Sequence, residues 1–261
     1  MDRYFESKLN HIIRHSPHGA VLTSEWLNKQ GVNYKLAWWY VRSGWLERLS
    51  DKAYKRAGDK VGWMGAVAAL QQQLGLAIYV GGKTALQLLG KAHFLPLAGV
   101  SIVELFTVPS VTIPRWLLKV DLGKVQFRVH KAALFNPKIH PFLGLTNQEV
   151  NGIQLQLSAP ERAMFEVLYD VPQGVTFEES MQLMENLTRL RPQIIQELLE
   201  GCQSIKVKRL FLHAADHYQH EWLNDLNLKK IHLGKGKRKI GVGGHYDPKY
   251  QLSVPKLKED R

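Results

Sequence analysis

The sequence predicts an α+β protein, with an N-terminal winged helix-turn-helix followed by a larger mixed α/β C-terminal domain. Three observations carry that expectation. Thr23 to Arg56 holds two short helical patterns around a glycine and then a hairpin pattern. Leu76 to Leu157 alternates strand and helix patterns, and from Ala159 the character turns helical. The expected division places the winged domain at residues 1–60 and the mixed domain at 61–261, with a further subdivision near 150–160.

Taken in order, Tyr4 to Arg14 spaces Phe5, Leu9, Ile12 and Ile13 as an amphipathic helix, and Pro17 with Gly19 ends it. Thr23 or Ser24 can cap a short helix through Gln30. Gly31 breaks it, and Asn33 can cap the next helix, Tyr34 to Ser43, before Gly44. Within that second helix Lys35, Trp38, Trp39 and Arg42 fall at i, i+3, i+4 and i+7 and share a face, while Leu36, Ala37, Tyr40 and Val41 take the other. One face packs inward, which leaves two cations and two indoles to be displayed. Trp45 to Leu49 then alternates as a strand, Ser50-Asp51-Lys52 supplies a turn, and Ala53 to Arg56 returns as the second strand of a wing.

A helix presenting Lys, Trp and Arg beside a basic hairpin suits duplex DNA. Cations neutralise phosphates, and long side chains reach base edges in the major groove. The expected DNA-binding set is therefore Lys35, Trp38, Trp39, Arg42, Lys52, Lys55 and Arg56. Winged-helix units also dock proteins, so two placements of Trp38 and Trp39 stay open: facing DNA, or buried against the C-terminal domain. In the second, readout falls mostly to Lys35, Arg42 and the wing.

Beyond Ala57 to Lys60, Val61 to Gly75 reads as a buried helix and Leu76 to Val80 as an apolar strand running into Gly81-Gly82-Lys83-Thr84. A phosphate-binding loop would need a glycine five positions before Gly82, where Ala77 stands inside the strand, so a tight strand-to-helix turn is expected. Ser101 to Thr107, Val125 to Val129 and Ile153 to Leu157 read as strands, with a proline-bounded helix at Arg115 to Leu118. Helices are expected from Pro160 to Tyr169, from Thr176 or Phe177 towards Leu190, and from Pro192 to Gly201. Ile205 to Arg209 alternates like a strand before a helix from Leu210 to Leu226.

At 261 residues, 45% of them hydrophobic, the chain is comfortable for two cored domains. Lys plus Arg number 35 against 23 Asp plus Glu, a net charge of +12 that favours a polyanionic partner. The single cysteine, Cys202, rules out an internal disulfide framework and a cysteine-rich zinc site. No apolar run approaches the roughly 20 residues that span a bilayer, so a cytoplasmic protein without membrane contact is expected.

No constellation of catalytic residues emerges, and neither a cofactor nor a metal is expected. His213, His217 and His220 fall at i, i+4 and i+7, but Ala214 stands where a zinc-protease helix places its glutamate, and a solvent-facing polar stripe is expected instead. Cys202 has no base partner in the sequence and reads as a small core residue. A second basic surface is offered by Lys206 and Lys208 together with Lys235, Lys237, Arg238 and Lys239 of the tail, Lys229 to Tyr250. The glycine-rich end of the tail is either a clamp for a phosphodiester or acidic protein, or a hairpin kept soluble by lysine, and both stay open.

Four stretches, Gly44-Trp45-Leu46-Glu47-Arg48-Leu49, Val80-Gly81-Gly82-Lys83-Thr84-Ala85-Leu86, Val207-Lys208-Arg209-Leu210-Phe211-Leu212 and Gly243-Gly244-His245-Tyr246-Asp247-Pro248-Lys249-Tyr250, together resemble the AbiEi antitoxin family of bacterial type IV toxin-antitoxin systems. That resemblance implies a non-enzymatic repressor of its own operon acting on double-stranded promoter DNA with inverted repeats. It also implies a nucleotidyltransferase-like toxin as functional partner without a stable complex, and it allows two copies to pair on DNA. The alternatives are an enzyme acting on nucleic acid or nucleotides, centred on Gly81 to Thr84 or the histidine helix, and a module that sequesters a toxin by binding it.

Overall fold

A computed structural model describes residues 2–92, 100–131, 133–136, 142–241 and 244–257, with the side chains of residues 2–7 outside the described set. The Phe5 side chain and the Val242-Gly243 part of the tail therefore lie outside the described residues. In chain order the elements are α1 (Asp2–His15), β1 (Leu22–Thr23), α2 (Ser24–Lys29), α3 (Tyr34–Arg42), β2 (Leu46–Ser50), β3 (Ala53–Arg56) and α4 (Trp63–Ala68), which continues as a π-helical turn, Ala69–Gln73. There follow β4 (Ile78–Val80), α5 (Gly82–Leu88), β5 (Ser101–Thr107), a 3-10 turn at Arg115–Leu118, β6 (Val125–Lys131), β7 (Leu145–Val150) and β8 (Ile153–Ser158). The last third holds α6 (Pro160–Asp170), α7 (Phe177–Glu185), α8 (Pro192–Gly201), α9 (Ile205–His217), β9 (Arg238–Lys239), β10 (His245–Asp247) and β11 (Leu252–Val254). The chain forms two compact units, one from Met1–Tyr79, Pro96–Val129 and Asn147–Gln156, the other from Val80–Leu95, His130–Thr146 and Leu157–Arg261.

The first unit begins with a winged helix-turn-helix. Thr23 caps α2 by accepting from the Trp26 N–H at 3.2 Å, and Asn33 caps α3 by accepting from the Leu36 N–H at 3.0 Å, each cap contributing about 1 kcal/mol. Gly31 takes the left-handed backbone between them, φ +78°, a conformation most side chains resist. The apolar faces of α1 to α3 close on Leu9, Ile12, Leu22, Leu27, Val32, Ala37, Tyr40, Leu46 and Tyr54. Strands β1, β3 and β2 form an antiparallel sheet in that order, and β2 and β3 are the wing.

Helix α4 and its π-helical extension hold β1 closely. A Cβ on Gly65 of α4 would stand 1.9 Å from the Gly19 carbonyl, so only glycine allows that approach. Three consecutive glutamines on the π-helical turn reach in two directions. Gln73 donates to the Val21 carbonyl at 2.6 Å and accepts from the Thr23 N–H at 2.9 Å, bracketing β1 as a neighbouring strand would. Gln71 does the same for Gln156 on β8, donating to its carbonyl at 2.9 Å and accepting from its N–H at 3.0 Å, while Gln72 donates to the Gln154 carbonyl at 2.7 Å. The largest sheet has the order β6-β5-β4-β8-β7, with β4 parallel to β8.

The second unit is mainly helical, with Phe165 of α6 stacked on Phe211 of α9 at 4.4 Å between centroids. Two expectations fail in it. Ile205 to Arg209 is the first turn of α9 and not a strand, because Ser204 caps it and all three of its cations donate to backbone carbonyls of the fold. Lys208 donates to the His232 carbonyl, and Arg209, 1% exposed, donates to those of Leu233, Gly234, Gly236 and Gln251. The helix then ends at His217, since Gln219 adopts a φ of +53°. In the tail β10 and β11 pair as an antiparallel hairpin, and β9 joins β11 in parallel.

Candidate nucleic-acid interface

Helix α3 buries Ala37 and Tyr40 in the winged core, with Leu36 and Val41 packed against it. The opposite face carries Lys35, Trp38, Trp39 and Arg42, all exposed, and the two indoles are 50% and 49% accessible. The Arg42 guanidinium lies over the Trp38 ring, 4.8 Å from its centroid, which orients the cation while leaving its N–H edges available. Tyr34, Lys35, Trp38 and Trp39 line one shallow depression on this face.

The wing is less uniformly basic at its surface than its composition suggests. Lys52 occupies the tip, exposed, with a left-handed backbone at φ +65°. Lys55 lies directly across the ladder from Glu47 and pairs with it at 2.8 Å, also donating to the Asp59 carbonyl at 2.7 Å. The hydrogen bond from Lys55 holds the Glu47 carboxyl below its ordinary range, helped by the Gly58 N–H. Arg56 turns the other way and donates to the Ile13 and Ser16 carbonyls and to Ser16 Oγ, satisfying orphan carbonyls at the end of α1. Lys55 and Arg56 thus stand beside the interface with their hydrogen bonds already committed. Burial pushes the neighbouring Asp59 carboxyl up, but hydrogen bonds from His18 and the Gly19 N–H outweigh it and hold the group low.

Three residues of this surface escaped the sequence reading. Tyr34, 70% exposed, precedes Trp38 by one turn, a spacing that could have found it. Trp45, 51% exposed, follows the helix stop at Gly44, and Arg48 points to the wing tip, bonded to Asp51 at 2.6 Å.

Two domain-sized family models match the chain. One described as "Transcriptional regulator, AbiEi antitoxin N-terminal domain" covers residues 5–97, and one described as "Transcriptional regulator, AbiEi antitoxin, Type IV TA system" covers residues 101–255. The chain belongs to the AbiEi antitoxin family. The fold of this AbiEi protein is also similar to the crystal structure of the RV2827C protein from Mycobacterium tuberculosis, with a TM-score of 0.61 at 15% identity over 96% of this chain and 91% of that one. No curated protein matches it. Among the described residues, no helix is long and apolar enough to cross a membrane.

Elsewhere in this AbiEi chain, the Gly81-Gly82 turn, His213, His220, Lys206 and Lys208 all have partners within the fold. At the Gly81-Gly82 turn the place of a phosphate is filled from within. The buried Glu166 carboxylate accepts from the Gly82 N–H at 2.9 Å, from Ser158 Oγ and from Arg162 Nε, while Lys83 pairs with Glu179 at 2.9 Å. The histidines do not form a solvent-facing stripe. Only His217 is exposed, because His213 bonds Asp247 at 2.6 Å and the buried His220, beyond the helix end, donates to the Met184 carbonyl. Cys202 is buried as expected, and burial raises its thiol to about 11.

The second basic surface needs correction at two positions. Lys208 is 4% exposed, and Lys206 donates to the Tyr169 and Val171 carbonyls at the end of α6, so neither belongs to an open cationic face. Lys235, Lys237, Arg238 and Lys239 are exposed, the last two on the edge strand β9.

Proposed function

We propose that this AbiEi-family regulator binds double-stranded promoter DNA carrying inverted repeats, represses its own operon and counteracts a nucleotidyltransferase-like toxin without forming a stable complex with it. In this reading residues 1–60 supply the DNA reader, residues 61–261 supply the antitoxin activity, and the protein works in the cytoplasm. The observation that carries it is the outer face of α3, where Lys35, Trp38, Trp39 and Arg42 stand exposed together beside a wing tipped by Lys52. Of the cations expected at the interface, Lys35, Arg42 and Lys52 are fully presented, whereas Lys55 and Arg56 are engaged in the fold.

Three phosphate contacts per copy set a salt dependence of about −2.7 in log affinity against log salt. Raising salt fourfold should then weaken binding about 40-fold, and Lys35→Ala, Arg42→Ala or Lys52→Ala should each reduce that loss to about 12-fold. The test is a titration of a labelled duplex from the protein's own promoter against a shuffled duplex of equal length. Equal binding of the two, or salt slopes unchanged in all three variants, would overturn the reading. A stable complex with the toxin and no affinity for the promoter would replace it with a sequestering module.

A further inference from the structure

Tyr34, Trp38 and Trp39 are a costly surface for a protein that ends its work at the phosphates. Three large aromatic side chains lie contiguous and exposed on one helix, where a monomer ordinarily keeps such groups apart or covered. Cations do not replace them but are interleaved with them: Lys35 lies between Tyr34 and Trp38 in sequence and lines the same depression, and Arg42 stacks on Trp38. That mixture matches a partner that is polyanionic at its edges and apolar at its centre. The major groove of a duplex has that character only where it carries thymines, because the thymine C5-methyl is the one apolar group a base pair presents there.

We propose that Tyr34, Trp38 and Trp39 read thymine methyl groups, so that the half-site facing α3 is chosen by clustered thymines while Lys35 and Arg42 fix the helix against the flanking phosphates. The proposal rests on the DNA-binding reading above and adds which base feature sets specificity. Indole and phenol rings have few rotamers and broad faces, so each can cover a methyl at small entropic cost. Covering one methyl is worth about a fourfold gain in affinity, by the transfer free energy of a single buried carbon.

The test uses the full chain and two forms of one promoter duplex, one with thymidine and one with deoxyuridine, which pairs identically but lacks the methyl. The expected result is about fourfold weaker binding per methyl read, compounding to roughly sixteenfold for two, with the salt slope unchanged. Tyr34→Ala, Trp38→Ala and Trp39→Ala together should bind both duplexes alike, while Lys35→Ala should keep the discrimination and lose about one unit of slope. Unchanged circular dichroism and thermal melting of the aromatic variant check that its fold is retained. Failure to bind either duplex would count against DNA binding itself. Equal binding of both duplexes by the unaltered protein would overturn the methyl reading alone. So would a variant that keeps the discrimination but dissociates a dimer, since the rings would then serve a second copy, or a preference for the unpaired strand over the duplex.

Discussion

Gln73 provides the sharpest test of how the winged unit is held. Replacing it with leucine keeps size and helix propensity but removes both of its hydrogen bonds, to the Val21 carbonyl and from the Thr23 N–H. Val21 is fully buried and Thr23 is 2% exposed, so each backbone group would be left without water as a substitute. An unsatisfied buried group costs about 1–3 kcal/mol, which puts Gln73→Leu at roughly 2–6 kcal/mol. Its neighbour is the control: Gln72→Leu removes one bond to the Gln154 carbonyl at an exposed position, where water replaces it at a cost within about 0.5 kcal/mol. At about 3 kcal/mol the midpoint of thermal unfolding drops by about 6–12 °C for Gln73→Leu, against a degree or two for Gln72→Leu. Thr23 also caps α2 and pairs with Ala53 of the wing, so the loss should reach promoter affinity as well. If the two leucine variants melted within a degree of each other, the bracketing of β1 by Gln73 would be no part of what holds the winged unit.

Individual side chains set further expected outcomes. Arg56→Ala should lower stability by about 1–3 kcal/mol in urea unfolding, by freeing the carbonyls at the end of α1, whereas Lys52→Ala should leave stability untouched and weaken only DNA binding. Burial pushes the Glu161 carboxyl up, but hydrogen bonds from the Arg191 side chain and N–H, all at 2.9–3.0 Å, outweigh it and hold the group below its ordinary value of 4.5. Its contribution is therefore complete above about pH 4.5 and lost as pH falls through the lowered value, and Glu161→Gln should flatten that acid limb in melts taken from pH 3 to 6. With its thiol raised to about 11, Cys202 is thiolate in only about one molecule in a thousand at pH 8, so a thiol reagent should label it only as the protein unfolds in denaturant.

Much of the N-terminal fold was legible because its signals are local. Thr23 and Asn33 cap the helices that their spacing implies, Gly31 and Gly44 stand at the expected stops, and the periodicity of α3 separates Ala37 and Tyr40 from Trp38 and Trp39. Strands β5, β6 and β8 and helices α6 and α8 also fall within a residue or two of their apolar patterns. The error at the start of α9 has a tertiary origin. Alternation at Ile205 to Arg209 imitates a strand only if its cations face water, and they face carbonyls 24 or more residues away. In the tail, β9 and β10 do not pair with each other as the hairpin alternative expected but lie on either side of β11, and the parallel pairing of β9 with β11 had no signature in the sequence.

The order of residues by itself determined the winged helix-turn-helix, the displayed face of α3 and the family to which the chain belongs. Caps, turns and helical faces are decided by neighbours within a few positions. Tertiary structure alone decided which cations remain available: Lys35, Arg42 and Lys52 stay in water, while Arg56, Lys206, Lys208 and Arg209 are spent on backbone carbonyls inside the fold. It also decided the sheet order β6-β5-β4-β8-β7 and the filling of the α5 helix start by Glu166. A basic side chain is drawn to whichever unsatisfied oxygen the packed chain brings within reach, and distant segments supply those oxygens only once the core has closed.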